Sequence, residues 1–134
     1  MPLSPILLAG ASAALISAAA PTMKGPAMNG QALFAENCSA CHQVTGKGVP
    51  GAFPALAGDT FVQGPPQPVA ATVLNGRGGM PTFRNDLSDA QIATVITYVR
   101  SAWGNHAPAV DAATVARVRG VDKSENAGAS LQAH

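Results

Sequence analysis

Apolar residues predict one prominent amphipathic helix in the second half of the chain. Five of them recur at intervals of three or four residues and therefore share one helix face: Ile92, Val95, Ile96, Val99 and Trp103. Ser88 and Gln91 occupy the two positions of a capping box before this stripe, and Gly104 follows it. We therefore predict a helix from Asp89 to about Ala102, whose apolar face must pack against another element.

A second predicted helix leads into the two cysteines of the chain, with Asn29 as a suitable N-cap. Phe34, Cys38, Cys41 and His42 lie at offsets of four, seven and eight residues, so a helix through them places all four side chains on one face. No segment shows a convincing strand pattern. The predicted fold class is all-α.

The segment between these two helices is dense in glycine and proline. Residues 43–67 show no helical pattern, and a stretch of this length is unusual in a compact domain unless it wraps around something. A short helix is predicted over residues 69–74, ended by Asn75 and Gly76, and the loop 77–81 follows.

The first 20 residues have the character of an export signal. An uncharged apolar run rich in alanine ends in the small residues 18–20, which is typical of a secretory signal and its cleavage site. No Lys or Arg follows Met1, which is unlike a secretory signal, so two other interpretations of residues 1–20 stay open: a retained N-terminal membrane anchor and a soluble N-terminal helix.

The remainder of the chain suits one domain with short extensions, as a length of 134 residues allows. We predict a linker over 21–28, a domain over 29–105 and a C-terminal extension over 106–134. Within the extension, residues 111–118 could form one short helix. Residues 119–134 are polar and rich in small side chains, and we expect them to be disordered.

Charge and composition narrow the classes of function. Eight Lys and Arg stand against seven Asp and Glu without any block of like charge, so nucleic acid is not an expected partner. Hydrophobic residues make up 47% of the sequence but aromatic residues only 4%. Because small side chains bury little area each, such a core is thin, and a large apolar cofactor would complete it.

Residues 38–42 form the pattern C-x-x-C-H, which suits the covalent attachment of a haem. Two thiols three residues apart on a helix lie on the same side, where both can add to the vinyl groups along one haem edge. The imidazole of His42 can then reach the iron as an axial ligand. We therefore expect one c-type haem bound covalently through Cys38 and Cys41.

Three other uses of the cysteines fit less well. A disulfide between Cys38 and Cys41 would close a tiny loop and stabilise little. A reactive dithiol of the thioredoxin kind needs strands around the motif and a helix N-terminus beside the thiols, whereas this motif lies towards a helix C-terminus. A zinc site would need a further pair of ligands at suitable spacing.

The sixth iron position has three downstream candidates, which are Met80, His106 and His134. Met80 lies in a glycine-rich loop and precedes Pro81, which fixes the local backbone and would hold the thioether towards the ring. The alternative role for Met80 is to fill a gap in the core. His106 follows the stop at Gly104 and is expected to be exposed.

Further motifs accompany the C-x-x-C-H pattern. In chain order they are Leu33-Phe34, Phe53-Pro54-Ala55-Leu56-Ala57-Gly58, Val73-Leu74-Asn75-Gly76, Met80-Pro81-Thr82-Phe83, and a last helix with Tyr98 and Trp103. With them the chain resembles the class I monohaem cytochromes c of the bacterial periplasm over about residues 29–105. The resemblance implies a small all-α cytochrome c fold in which the N- and C-terminal helices cross near Gly30 and Phe34, and loops wrap the haem.

The resemblance also implies roles for individual residues. Pro54 should offer its carbonyl oxygen to the second ring nitrogen of His42, Leu56 should pack on the haem, and Met80 should be the second axial ligand. The expected function is that of a periplasmic one-electron carrier with a His/Met-ligated haem, and not that of an enzyme.

Two other functions stay open at this point. The chain could be a cytochrome c subunit of a periplasmic or membrane-bound dehydrogenase or oxidase complex. An open-site haem protein, such as a peroxidase or a gas sensor, would require that Met80 not bind the iron. For a carrier or a subunit the partners are redox proteins. Contact with a membrane is expected only if residues 1–20 are retained.

Overall fold

The computed structural model describes residues 29–131, with side chains as far as Asp122. The helices of this part of the chain are α1 (Gly30–Asn37), α2 (Ser39–His42), α3 (Thr60–Gln63), α4 (Pro66–Asn75), α5 (Asp89–Ser101) and α6 (Ala112–Leu131). Among the same residues the extended pairings are two isolated bridges, so the all-α prediction is confirmed. No helix within 29–131 is long and apolar enough to cross a membrane. The predicted signal segment 1–20 and linker 21–28 lie outside the described residues.

Helix α1 begins at Asn29, whose side-chain oxygen accepts a hydrogen bond of 2.9 Å from the backbone N–H of Gln31. The first turn of α1 lies against α5, because a β-carbon on Gly30 would be 2.7 Å from both the carbonyl oxygen of Thr94 and the β-carbon of Tyr98. Only glycine permits so close an approach. The predicted helix crossing near Gly30 is therefore confirmed.

Three aromatic rings fill this crossing. Phe34 is buried, and its ring centroid lies 5.0 Å from that of Trp103 and 5.7 Å from that of Tyr98. The tilted and edge-on arrangements are those that the ring quadrupoles favour. The rings hold α1 across the C-terminal half of α5.

Helix α5 lies at the centre of the core. Ser88 and Gln91 make both hydrogen bonds of the predicted capping box, at 2.9 and 3.2 Å. One face of α5 contributes Val95 and Val99 to an apolar cluster with α1 and α3. The other face joins α4 and α6 in a second cluster, formed by Val69, Ala70, Leu74, Leu87, Ile92, Ala93, Ile96, Val110 and Val115.

Helix α4 is longer than the predicted 69–74 because it begins at Pro66. The first helical turn has no acceptor for its N–H groups, so a proline there starts a helix and does not break it. The helix ends as predicted before Gly76, whose φ is 74°. The short α3 lies within residues 43–67, for which the sequence predicted no helix, and the Asp59 carboxylate caps it.

The C-terminal extension forms part of the same core. Val115 of α6 is fully buried in the second cluster. Helix α6 continues to Leu131, whereas the sequence predicted disorder over residues 119–134. The polar side chains of this stretch do not simply face solvent, since Arg119 forms an ion pair of 2.6 Å with Asp89 at the start of α5.

Candidate functional site

A cavity of about 590 Å³ lies between α1, α4, α5 and the loops that connect them. Its volume is within the range of small-molecule and cofactor sites. Most of its wall is apolar, with Phe34, Val69, Val73, Phe83, Val95, Ile96 and Val99 among the lining residues. The cavity brings together all six residues that the sequence selected as a site, which are Cys38, Cys41, His42, Pro54, Leu56 and Met80.

His42 is held in one orientation by the loop opposite its helix. Its ring Nδ1 lies 2.9 Å from the carbonyl oxygen of Pro54. A carbonyl oxygen only accepts, so Nδ1 carries the hydrogen and donates it. The lone pair of Nε2 is then free to bind a metal, which is the arrangement usual for a metal-binding histidine and its hydrogen-bonded neighbour.

The backbone around Pro54 is folded tightly to bring its carbonyl group to His42. Gly46 accepts hydrogen bonds from the backbone N–H groups of Leu56 (2.7 Å) and Ala57 (3.0 Å), and Gly48 donates to the carbonyl oxygen of His42 (3.0 Å). Both glycines have positive φ, at 66° and 62°. The glycines that the sequence marked as loop residues are therefore what allows the segment to fold back on His42.

Trp103 closes this loop from the other side. Its indole ring packs directly on Gly46, where a β-carbon would collide with the ring. Its Nε1–H donates a hydrogen bond of 3.0 Å to the carbonyl oxygen of Val44. The end of α5 thereby fixes the loop that follows the C-x-x-C-H segment.

The two cysteines lie where α1 passes into α2. The chain leaves regular helix at Cys38, so the single helix predicted through His42 is two helices in nearly continuous succession. The carbonyl oxygen of Cys38 still accepts from the N–H groups of Cys41 (3.2 Å) and His42 (3.0 Å), and this keeps the three side chains on the cavity. Neither thiol is in a disulfide.

The environment of Cys38 is unlike that of an activated thiol. Burial, and then the neighbouring Cys41, raises its pKa to about 11, so it is protonated at neutral pH. Redox dithiols depend instead on a lowered thiol pKa. In the described part of the chain no three His, Cys, Asp or Glu side chains are grouped so as to hold a metal ion.

Met80 is presented by a tight turn at residues 77–80. Arg77 and Met80 exchange two backbone hydrogen bonds, at 3.0 and 3.2 Å. A β-carbon on Gly76 would collide with the carbonyl oxygen of Met80, so the loop packs closely on its own start. After the turn, the Thr82 hydroxyl donates to the carbonyl oxygen of Leu74 (2.5 Å), which ties the loop to the end of α4.

Of the other two candidates for the sixth position, the structure describes His106, which does not line the cavity. His106 is exposed, and its backbone N–H donates to the side chain of Gln63 at 3.0 Å. It is absent from the cavity lining. His134 lies outside the described residues.

Two buried polar residues that support the site were missed in the sequence. Asn105 is 1% exposed, accepts from the N–H of Gly58 (2.8 Å) and donates to the carbonyl oxygens of Leu56 (3.0 Å) and Val99 (2.8 Å). It thereby fastens the loop after Pro54 to α5. The sequence showed it only as the residue after a helix stop, and no local pattern distinguishes this role.

Arg100 is the second such residue, and it is 2% exposed. Its guanidinium donates to the carbonyl oxygens of Val62 (2.6 Å), Gly64 (2.7 Å) and Pro108 (2.9 Å). It joins the segment around α3, which lines the cavity, to the segment that leads into α6. A basic residue in the last turn of a helix is ordinarily a surface residue, so its sequence position gave no signal.

The residues around the cavity fit a covalently bound haem. Two partly buried thiols, an imidazole with a free Nε2 lone pair and a thioether face one largely apolar space. An apolar wall of this kind suits the macrocycle, and the nitrogen and sulfur donors are those that bind haem iron in cytochromes c.

Comparison with known proteins agrees with this fit. Residues 25–99 match the family described as cytochrome C oxidase, cbb3-type, subunit III. Cytochrome c6 of Gloeothece citriformis is 37% identical over 59% of this chain and 74% of its own length. Cytochrome c-552 of Thermus thermophilus is 32% identical over 58% of this chain and 70% of its own length.

A larger protein is also similar to part of this chain. The protein named alcohol dehydrogenase (quinone), cytochrome c subunit, of Gluconobacter oxydans is 34% identical over 67% of the chain. The match covers 22% of that relative, so the chain spans about a fifth of its length. The family match extends over more than half of the chain and the small cytochromes are matched over most of their length. The chain therefore belongs to the cytochrome c family, whose members transfer electrons through haem c.

Proposed function

We propose that this domain holds a single haem c, attached through Cys38 and Cys41 and ligated by His42 and Met80, and that it carries one electron at a time between redox proteins of the bacterial periplasm. One observation carries the proposal. The imidazole of His42 is buried, and its Nδ1 donates to the carbonyl oxygen of Pro54 at 2.9 Å, which leaves Nε2 free. The same imidazole lines one cavity with both cysteines and Met80.

Each residue has a separate task in this proposal. Pro54 fixes the orientation of the His42 ring and increases its basicity as a ligand. Leu56 contributes apolar wall and keeps water away. The bound haem supplies the iron that accepts and releases one electron. Met80 offers a thioether, which favours the reduced iron and raises the reduction potential, and neither axial ligand has to leave during electron transfer.

The rim of the cavity is where a redox partner would make contact. Phe53 and Phe61 line the cavity and are 37% and 40% exposed, and Pro81, which also lines it, is exposed. Arg77 lies over the ring of Phe61 at 5.8 Å. With so few charges at the rim, we infer that partner contact is mainly apolar.

Export to the periplasm is a further part of the proposal. It is supported by the signal character of residues 1–20 and by the attachment of haem to C-x-x-C-H motifs outside the bacterial cytoplasm. We expect the mature protein to begin between Ala19 and Met23. Mass spectrometry of the native protein measures this directly, and a mass that includes Met1 to Ala20 in the membrane fraction would show that the segment is an anchor.

A second candidate function is that of a cytochrome subunit in a dehydrogenase complex. It is favoured by the similarity to relatives named as the cytochrome subunits of alcohol, fructose and gluconate dehydrogenases. The carrier function is favoured by the small cytochromes, which the chain matches over most of their length. Purification from the native host decides between them, because a carrier elutes alone at its own mass and a subunit elutes with a dehydrogenase.

Replacement of Met80 tests the ligand set. Met80→Ala should keep the haem attached, lose the sulfur-to-iron absorption band, bind carbon monoxide in the reduced state and lower the reduction potential. Met80→Leu keeps the volume, so a residue that only fills the core would tolerate it with an unchanged spectrum. His106→Ala is the matched control and should leave the spectrum unaltered. An intact sulfur-to-iron band in Met80→Leu would rule Met80 out as the ligand.

A further inference from the structure

Helix α6 lies beyond residues 25–99, which the family match covers, and it makes a concentrated polar contact with the rest of the domain. Asp122 accepts two hydrogen bonds on Oδ2, one from Nδ2 of Asn75 (2.8 Å) and one from Nη2 of Arg84 (2.7 Å). Arg84 in turn donates to Oδ1 of Asn75 from Nε (3.2 Å) and Nη2 (2.7 Å). These three side chains, which we name the clasp, form a closed set of hydrogen bonds.

The clasp joins the two ends of the loop that carries Met80. Asn75 is the last residue of α4, Arg84 follows Phe83, and residues 76–83 lie between them. Both the backbone and the side chain of Arg84 are also held to α6, because its carbonyl oxygen accepts from the guanidinium of Arg119 and its Nη1 donates to the carbonyl oxygen of Arg119 at 3.4 Å. Asn75 and Arg84, which flank the Met80 loop and form its base, are therefore held together by side-chain hydrogen bonds. One of the side chains that hold them, Asp122, belongs to α6.

We propose that Asp122 is a positioning residue that keeps Met80 on the iron by holding the base of its loop closed. The inference rests on the proposed role of Met80 as the sixth ligand. A thioether can leave the iron only when its loop opens, and opening moves the two ends of the loop relative to each other. The clasp opposes that movement without touching the ligand itself.

The clasp is sheltered enough from solvent to have this effect. The side chains of Arg84 and Asp122 are 21% and 19% exposed, so their ion pair is less screened than one on the open surface. Hydrogen bonds to charged groups are also stronger than those between neutral groups. Removing the Asp122 carboxylate leaves the side chain of Asn75 with Arg84 alone, and the guanidinium of Arg84 with Asn75 and the carbonyl oxygen of Arg119.

Imidazole binding to the oxidised, full-length haem protein tests the inference. Added imidazole can take the sixth position only in molecules whose loop is open, so its apparent dissociation constant reports the open fraction. We expect Asp122→Ala to lower this constant about five- to thirtyfold, and Asp122→Asn, which keeps one acceptor oxygen, to lower it less. Arg84→Met should act in the same direction. The Asp122→Asn and Arg84→Met pair should be less than additive, because both remove the same contact.

Asn29→Ala is the matched control. It removes the cap of α1, at the opposite side of α5 from the clasp, and so lowers global stability without touching the loop. Imidazole affinity should be unchanged in this variant. If Asp122→Ala and Asn29→Ala reduce the unfolding midpoint alike and neither alters imidazole affinity, Asp122 only anchors α6 and the inference is wrong.

Met80→Ala separates failure of this inference from failure of the proposed ligand set. It should bind imidazole with the affinity of a vacant site, far more tightly than the wild type. If the wild type binds imidazole equally tightly, Met80 is not the ligand and the proposed function is at fault. If wild type and Met80→Ala differ as expected while the Asp122 and Arg84 variants match the wild type, only the clasp is refuted.

Discussion

A β-carbon on Gly48 would lie 2.5 Å from the carbonyl oxygen of Pro54, which is closer than such atoms approach without a shift in the backbone. The same oxygen accepts the hydrogen bond from Nδ1 of His42. The orientation of the imidazole therefore depends on the absence of a side chain at Gly48. A glycine that the sequence marks only as a loop residue becomes part of the site.

Gly48→Ala should destabilise the protein and disturb His42. The positive φ alone costs an alanine about 1–2 kcal/mol, and the collision with the carbonyl groups of Phe53 and Pro54 adds about 1–3 kcal/mol. Gly51→Ala is the matched control, since Gly51 also has positive φ (78°) but no atom within 4 Å of the added carbon. Chemical denaturation measures both costs. Equal losses of stability in the two variants would show that the Pro54 carbonyl moves aside freely.

Asn105→Ala should cost at least about 1–3 kcal/mol, the penalty for leaving one buried polar group without a partner. The side chain is buried and satisfies the N–H of Gly58 and two carbonyl groups, so no water can replace it easily. Asn105→Asp should be at least as harmful, because a carboxylate cannot donate to the carbonyl oxygens of Leu56 and Val99. Denaturant midpoints check this, with the exposed Ser101→Ala as a control. A loss below that of Ser101→Ala would contradict the prediction.

Local patterns predicted the parts of this fold that depend on neighbours in sequence. The capping box at Ser88, the cap at Asn29 and the glycine stop after α4 each involve residues within a few positions of one another, and all three are observed. The face shared by Phe34, the cysteines and His42 follows from helical spacing. The imidazole and both thiols of the candidate site could therefore be placed on one cavity wall from sequence alone.

Contacts between distant residues could not be predicted in this way. Asn105 bonds to Gly58 and Leu56 across almost fifty positions, and Arg100 bonds to Val62 across almost forty. Helix α6 was underestimated for the same reason, because its order depends on partners such as Asp89 that lie about thirty residues earlier. Composition and charge in residues 119–134 indicated disorder only because these partners are invisible in the local sequence.

Acid should loosen the start of α6. A hydrogen bond from the side chain of Thr114, and then one from its backbone N–H to Oδ1 (2.7 Å), holds the pKa of Asp111 below its usual value of 3.8. A lowered pKa in the folded state contributes stability above the usual value, and that contribution is lost as the pH falls through the folded-state pKa. The protection of the Thr114 amide, which is its exchange rate compared with the intrinsic rate at the same pH, should therefore fall below about pH 4. Asp111→Asn, which has no charge to lose, should show a flatter response over that range.

Arg100→Met should destabilise the protein although it removes a buried charge. Among the described residues the guanidinium is paired with carbonyl groups and not with a carboxylate, so its removal leaves the oxygens of Val62, Gly64 and Pro108 without that donor. The bond to Val62 is buried, and leaving its acceptor unsatisfied costs about 1–3 kcal/mol, whereas the methionine recovers only the packing of the aliphatic stem.

Arg100→Lys tests whether the site needs only a positive charge or needs the planar guanidinium with its several N–H donors. The three carbonyl groups belong to separate segments, and a compact ammonium on a flexible stem cannot reach all of them as the guanidinium does. We therefore expect the lysine variant to lose stability as well, by at least about 1 kcal/mol in denaturant unfolding. Arg117→Met, which replaces an exposed arginine of α6, is the control and should change stability by no more than about 0.5 kcal/mol. Full stability in Arg100→Lys would mean that the positive charge alone suffices. The hydrogen bonds to Val62, Gly64 and Pro108 would then not be what holds α3 and the segment that leads into α6 against α5.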